Sequence, residues 1–390
     1  MQYIDLGHYS TKKNTVNKKK KFIKIFLIVV LVALIGYGSY ILYWPISALI
    51  GQILKQPSSV LSFIKNPGGS LEQTDGRTNF LLLGIDKRSN ISYVYKGPNG
   101  EVRRNGFLSD TIIILSVNRN TNDVAMISIP RDTWVEIPGW DGFPQSSGKI
   151  NSAYSIGNSQ NYPGGGLALA KKVVSETLDI SIHYATRIDF EGFEKAINTL
   201  GGVDIIVERT FDDYNYPIEG KESALCSDGT IKCRYQHVHF DKGPTHMDGT
   251  AALKFVRSRQ GTNGEGNDFA RAARQQKVLI AAREKSLQLS NLLDPFKIKD
   301  LFQDFGETIE TDIDLEAVPA VFQLGKEINV NSIRTVVLDN SKKGLLYNPP
   351  SNDYGGAYVL TPRGGWEAIR SYIKEFLAAG NEATNSETAN

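Results

Sequence analysis

The chain has 390 residues, 41% hydrophobic and 22% charged, enough for one large globular domain or two modest ones. A formal net charge of +2 excludes a generally basic nucleic-acid binder. Two cysteines, Cys226 and Cys233, exclude a disulfide framework, and no histidine–cysteine spacing points to zinc.

A basic run, Lys12, Lys13 and Lys18 to Lys21, opens the chain, and no charged residue occurs between Ile25 and Leu54. A helix of about twenty apolar residues crosses the hydrocarbon layer of a membrane. The stretch is too long for a signal-peptide core and lacks a small-residue cleavage site. Tyr37, Tyr40, Tyr43 and Trp44 gather toward its far end, where aromatic rings favour the interface. The expectation is a cytoplasmic basic tail at 1–21, a transmembrane helix at 22–46 and everything after about residue 50 outside the cytoplasm. Residues 47–78, rich in Ser, Pro, Gly and Gln, read as a juxtamembrane linker whose first part can continue as a helix.

Three strand-like runs follow: Phe80–Ile85, Thr111–Val117 and Val124–Ile129. They are nearly continuously apolar, as expected for central strands covered on both faces. The polar turn Asn118–Asp123 makes the last two a hairpin. Helical patterns cover Gly165–Leu178, Phe190–Leu200 (ended by Gly201-Gly202), Asp248–Val256 and Asn267 to about Ser286, with a strand at Val203–Val207. Glu208–Asp248 reads as irregular and holds both cysteines; a local disulfide and free thiols are both open there. Further helices are expected near Asp294–Phe305, Leu315–Ile328 and Gly365–Ala379, with a strand at Ile333–Leu338. The fold class is α/β: a single extracytoplasmic domain with a central mixed β-sheet flanked by helices, on an N-terminal transmembrane helix. Its main part spans 79–290, a helical and strand extension of the same domain spans 291–380, and 381–390 is a polar, disordered tail.

The most informative segment is an arginine cluster. It runs from Arg257-Ser-Arg259 across the glycine-rich loop Gly261–Gly266 to Asp268, Arg271, Arg274 and Gln275. Asp268, Arg271 and Gln275 stand at i, i+3 and i+7, on one helix face. Guanidinium groups this close repel one another, and a multiply charged anion resolves that, because the planar fork binds two oxygens at once. A solvated helix face with one Asp–Arg pair is the alternative. Asp86 directly follows the first strand and Asp110 directly precedes the second. If those strands are antiparallel neighbours, the carboxylates meet at one sheet end, a setting for Mg²⁺ completed by phosphate and water. For a single Asp, the commoner role is a turn or strand cap. Arg131 and Asp132 end the third run, and Lys149-Ile-Asn151 lies further on.

In chain order, these pieces resemble the LytR-CpsA-Psr family of bacterial cell-envelope glycopolymer transferases. The resemblance rests on the N-terminal anchor, Gly84-Ile-Asp86, Ser109-Asp110-Thr111, Ser128-Ile-Pro-Arg131-Asp132 and Lys149-Ile-Asn151-Ser-Ala-Tyr154. It continues through Asp189-Phe-Glu-Gly-Phe193, Leu200-Gly-Gly-Val-Asp204, Gly249-Thr-Ala-Ala-Leu253, Arg257-Ser-Arg259 and Asp268-x-x-Arg271-x-x-Arg274-Gln275. It covers about residues 79 to 285. No single segment is specific; their order is.

The resemblance implies a membrane-anchored phosphotransferase. It would move a phosphorylated glycopolymer from a polyprenyl-pyrophosphate lipid of the cytoplasmic membrane to a peptidoglycan hydroxyl. The bond formed is a phosphodiester, and polyprenyl phosphate leaves. It implies Asp86 and Asp110 as metal-site carboxylates for Mg²⁺, with Mn²⁺ as an alternative. Arg131, Arg257, Arg259, Arg271, Arg274 and Gln275 would bind pyrophosphate, with Arg88 and Lys149 as helpers. Asp86, Asp110, Arg131, Arg257 and Arg271 form the implied catalytic set. Phosphoryl transfer needs charge neutralisation and alignment more than covalent assistance, so these residue types suit it. The chain departs from the family pattern at Leu108, where an arginine is usual, with Arg103 and Arg104 close by, and in the long loop Lys87–Ser109. Two other readings stay open: a pyrophosphatase or phosphodiesterase with water as acceptor, and a non-catalytic lipid-pyrophosphate-binding regulator. Nothing resembles a helix-turn-helix, and no nucleic-acid partner is expected.

Overall fold

The computed structural model describes residues 71–85, 93–96, 102–105, 107–221, 224–288, 305–314, 317–328, 333–341 and 344–387. The expected tail at 1–21, span at 22–46 and most of the linker lie outside them, as do Asp86, Arg88 and most of the helix expected near Asp294–Phe305. Among the described residues no helix is long and apolar enough to cross a membrane.

β1 (Arg77–Ile85) is followed by a short antiparallel ribbon, β2 (Tyr93–Lys96) and β3 (Val102–Asn105), and then by β4 (Ser109–Asn118). β5 (Val124–Ser128) returns antiparallel to β4, the hairpin the polar turn predicts. β6 (Trp134–Ile137) and β7 (Ser146–Lys149) form a second ribbon. Then come α1 (Ala153–Ser159), α2 (Gly165–Leu178), β8 (Tyr184–Asp189), α3 (Phe190–Thr199) and β9 (Val203–Val207). β10 (Phe211–Pro217), β11 (Tyr235–Phe240), β12 (Gly243–Met247), α4 (Gly249–Arg257) and α5 (Asp268–Gln288) follow. The last elements are β13 (Ile309–Thr311), α6 (Val318–Glu327), β14 (Ile333–Val337), β15 (Leu346–Tyr347), β16 (Thr361–Pro362) and α7 (Trp366–Glu387).

The central sheet has the order β13-β8-β1-β4-β5-β14. β1 runs antiparallel to β4 and parallel to β8, and β14 runs parallel to β5, so the sheet is mixed. Side chains alternate across a strand. Leu81, Leu83 and Ile85 of β1 and Ile112 and Ile114 of β4 enter one core with Leu169 and Val173 of α2 and Ile369 and Ile373 of α7. A second core joins β9–β12 to α4 and α5 through Phe211, Phe240, Phe255 and Val278. Capping is local: Asp189 accepts Gly192 N–H at 2.9 Å to start α3, and Asp248 accepts Ala251 N–H at 2.8 Å to start α4.

The central strand β8, the β6–β7 ribbon and α1 were not among the expected elements, and other stretches differ from expectation as well. β1 begins at Arg77, so the last two linker positions are buried sheet residues. Arg77 and Arg334 both grip the buried carboxylate of Asp123, which ties β1 and β14 to the turn before β5. Glu208–Asp248 is not irregular but contains β10, β11 and β12. Consecutive acids and a register shift between Asp213 and Tyr216 hide its alternation. Its loop is closed by a Cys226–Cys233 disulfide, Cα–Cα 5.6 Å. Finally, α7 continues to Glu387, through most of the expected tail; no proline interrupts it.

Candidate active site

At the end of β1, Ile85 pairs with Ser109 on one side and Asp189 on the other. That register places Asp110 and Asp189 at one end of the sheet, beside Ile85, the last described residue of β1. Gly84 faces Thr111, and a Cβ at position 84 would stand 2.9 Å from Thr111 Cβ, so the strands approach too closely there for a larger residue.

The second face of the same strands does not meet a helix directly. Leu82, Ile113, Thr186 and Ile188 wall a cavity of about 980 Å³, closed from the other side by residues of α3, α4 and α5 such as Phe193, Leu253 and Leu279. Leu108, at the position where an arginine was usual, lines this apolar space. A smaller cavity of about 300 Å³ adjoins it, lined by polar groups including Asp132, Asn267, Asp268, Asn340 and Tyr358. Asp110, Thr111, Arg131, Arg259, Arg271 and Gln275 line both cavities. The charged groups thus stand at the boundary between an apolar chamber and a smaller one of mixed lining.

Arg131 Nη1 donates to Asp110 Oδ1 at 2.8 Å, and its Nε lies 3.4 Å from Asp132 Oδ2. Burial works against the Arg131 cation, but Asp110, by charge and hydrogen bond, and Asp132 raise its pKa above the ordinary value. Arg271 Nη1 stands 2.8 Å from Asp268 Oδ1, and Arg259 Nη2 stands 3.5 Å from the same oxygen. Arg271 is 9% exposed, so the solvated-face alternative fails for it. Burial pushes its pKa down to about 10; Asp268 opposes that, and Arg259 and Arg131 add to it. A buried cation beside other cations is stabilised by an arriving anion. Arg257 Cζ lies 3.8 Å from the centroid of the Phe190 ring, and both residues line the chamber. Gln275 donates to Thr111 Oγ1 at 2.9 Å, linking α5 to β4.

Two expected ligands are used elsewhere. Arg274 does not line either cavity. Its Nε donates to the Phe255 carbonyl at 2.8 Å, Nη1 to the Glu265 carbonyl and carboxylate at 2.9 and 2.7 Å, and Nη2 to the Ser258 carbonyl at 2.5 Å. It latches the glycine-rich loop to α4 rather than binding pyrophosphate. Lys149 Nζ bonds Asp132 Oδ1 at 2.5 Å and lines neither cavity, so it reaches the site only through Asp132.

One group escaped the sequence reading. Asp213 is 1% exposed, and its Oδ2 accepts Ser258 Oγ at 2.7 Å and the N–H groups of Arg259 and Gln260 at 3.2 Å each. It holds the backbone between Arg257 and Arg259. Only the pairing of β10 with β11 distinguishes this buried acid from its neighbour Asp212.

The sequence pattern of the LytR_cpsA_psr family matches residues 54–359 of the chain. The chain belongs to the LytR_cpsA_psr family. Among its family relatives, the polyisoprenyl-teichoic acid–peptidoglycan teichoic acid transferase TagU of Oceanobacillus iheyensis is 30% identical over 82% of this chain and 86% of the relative. The corresponding transferase TagV of Bacillus subtilis is 27% identical over 92% of this chain and 78% of the relative. The crystal structure of B. subtilis TagV aligns with 78% of this chain and 99% of its own, at 26% identity and a TM-score of 0.52. The mixed sheet flanked by helices is therefore the fold of this LytR_cpsA_psr family member.

Proposed function

We propose that this LytR_cpsA_psr family protein is a membrane-anchored phosphotransferase. It would transfer a phosphorylated glycopolymer from a polyprenyl-pyrophosphate carrier to a peptidoglycan hydroxyl. The relatives named as polyisoprenyl-teichoic acid–peptidoglycan teichoic acid transferases support this reading. The observation that carries it is the pair of adjoining cavities with arginines on their boundary. An apolar chamber suits the polyprenyl chain, the boundary suits the pyrophosphate, and the smaller chamber of mixed lining, with Asp132, Asn267, Asp268 and Asn340, suits the sugar and the acceptor. The charge-free run Ile25–Leu54 after a lysine cluster supports the anchor, with the N-terminus cytoplasmic.

In the reaction, the acceptor oxygen attacks the phosphorus attached to the glycopolymer. The bond from that phosphorus to the bridging oxygen breaks, and polyprenyl phosphate leaves with the electron pair. The acceptor proton passes to a carboxylate at the site. Arg131, Arg257, Arg259 and Arg271 offset charge on the transferring and leaving phosphates, and their forks fix the in-line geometry. Asp110 supports the reading of a hard cation: its carboxylate, one oxygen of which Arg131 holds, stands beside the Thr111 hydroxyl at the boundary, and Asp86 follows Ile85 in the sequence. Mg²⁺ held by Asp86 and Asp110 would supply further neutralisation of pyrophosphate charge.

The test uses the full chain in detergent with a defined lipid-linked donor and peptidoglycan. Polymer attached to peptidoglycan, lost in excess chelator and restored by Mg²⁺ or Mn²⁺, is the expected result. Release of the polymer phosphate into water alone would make it a hydrolase. Donor binding without turnover would make it a binding protein, and full turnover in chelator would remove the metal.

A further inference from the structure

The β10–β11 ribbon carries a second constellation, separate from the arginine site. Asp212 and His239 are cross-strand partners. His237 stands two residues before His239 and so presents its ring on the same face of β11. His237 Nε2 and His239 Nδ1 each lie 2.7 Å from one oxygen, Asp212 Oδ1. The three potential ligand atoms all lie within 4.8 Å of one another. Both rings are oriented by outer contacts. His239 Nε2 lies 3.2 Å from Asp241 Oδ1, and the His237 ring stacks on Tyr214 with centroids 4.4 Å apart and planes 8° from parallel. The two imidazoles are 48% and 43% exposed, open to an arriving ion.

We propose that Asp212, His237 and His239 form a binding site for a divalent transition cation, with Zn²⁺ the best fit and water completing the shell. Two imidazoles and one carboxylate are a borderline nitrogen–oxygen set, which suits Zn²⁺ and disfavours Mg²⁺. Donor counting supports a cation. A neutral imidazole has a single N–H. His239 faces a carboxylate oxygen from each ring nitrogen, so without a cation it must be doubly protonated to serve both. With Nε2–H donated to Asp241, the Nδ1 lone pair is left for a metal, the outer arrangement that orients zinc-bound histidines generally. Ligands at about 2.0–2.1 Å from a tetrahedral zinc stand roughly 3.3 Å apart. The two histidine–carboxylate spacings of 2.7 Å need open by only about half an ångström to admit it.

The site also touches the catalytic region through the main chain. Asp212 N–H donates to Thr262 Oγ1 at 3.0 Å, and its carbonyl accepts Thr262 N–H at 2.9 Å. Thr262 belongs to the glycine-rich loop between Arg259 and Arg271. A cation on this ribbon would brace the strand to which that loop is tied.

The test is titration of Zn²⁺ alone into the full-length protein in detergent, without a polyhistidine tag. The expected result is one tight Zn²⁺ per chain that excess Mg²⁺ does not displace, with a higher Tm in zinc, since an ion that binds only the folded state stabilises it. The His237→Ala/His239→Ala double variant should lose both effects. His246→Ala, whose ring pairs instead with Asp204 at 2.7 Å, should keep both. Asp241→Asn should weaken Zn²⁺ binding by about tenfold. Wild-type protein that takes up no stoichiometric Zn²⁺, or that yields it to Mg²⁺, overturns the proposal. So does a double variant that binds like wild type. If the double variant does not fold, unchanged affinity in Asp241→Asn overturns it instead.

Discussion

The carboxylate of Asp213 accepts the hydroxyl of Ser258 at 2.7 Å, and that bond, with two backbone N–H groups on the same oxygen, sets the path of the chain between Arg257 and Arg259. Asp213 bears no evident sequence signal, yet it aims two of the arginines. Asp213→Asn keeps the shape and removes the charge on which four donors converge, Asn215 N–H on the other oxygen included. Hydrogen bonds to charged groups contribute about 1.5–3 kcal/mol each. Transfer should fall by about tenfold or more, with donor affinity falling in parallel. Wild-type turnover in a correctly folded variant would show that the loop holds its arginines without Asp213.

Arg271 is buried and paired with Asp268. Arg271→Ala should abolish transfer. Arg271→Lys should rescue it poorly, since a lysine is a point charge without the two-pronged fork. Equal activity in the lysine variant and wild type would mean that charge alone is required. Steady-state kinetics with a fixed donor separates the cases.

Arg274 is predicted to act on stability. Its fork is bonded to three backbone carbonyls and to Glu265. Arg274→Ala should destabilise the fold by about 3 kcal/mol, because a mostly buried Glu265 carboxylate loses its partner. Denaturant unfolding measures this directly. A variant of wild-type stability but no donor binding would return Arg274 to the pyrophosphate site.

The apolar chamber can be filled from its floor. Leu82 pairs across the strands with Ile113, and both line it. Leu82→Trp should weaken binding of a long-chain polyprenyl phosphate by about tenfold, roughly 1.4 kcal/mol of lost contact. Binding of inorganic pyrophosphate should stay unchanged. If both ligands respond equally, the substitution has disturbed the arginines and not the chamber.

His183 supplies a pH dependence. It is buried, and its Nδ1 accepts Asn79 N–H at 2.9 Å, which requires that nitrogen to be unprotonated. Burial pushes its pKa below the ordinary value. The unfolded chain therefore binds the proton more readily, so this group's stabilisation is complete above about pH 6.5 and declines as pH falls below that. Unfolding free energy measured between pH 7.5 and 5.5 should drop on acidification, and His183→Gln should flatten that slope. An unchanged slope would assign the acid sensitivity to other groups.

By itself the sequence determined the local features. Apolar runs marked β1, β4 and β5, a polar turn marked the hairpin, and the spacing of Asp268, Arg271 and Gln275 marked one helix face, because each is a matter of neighbours a few residues apart. The tertiary structure decided what those faces meet. Periodicity records that a side chain avoids water, but not whether it meets a packed helix, as Leu81 does, or a chamber wall, as Leu82 does. It likewise cannot say where a guanidinium finds its oxygens. Arg271 and Arg274 are three residues apart on one helix. One lines the cavities and the other is spent on the carbonyls of Phe255 and Ser258, a division set by how α5 lies against α4.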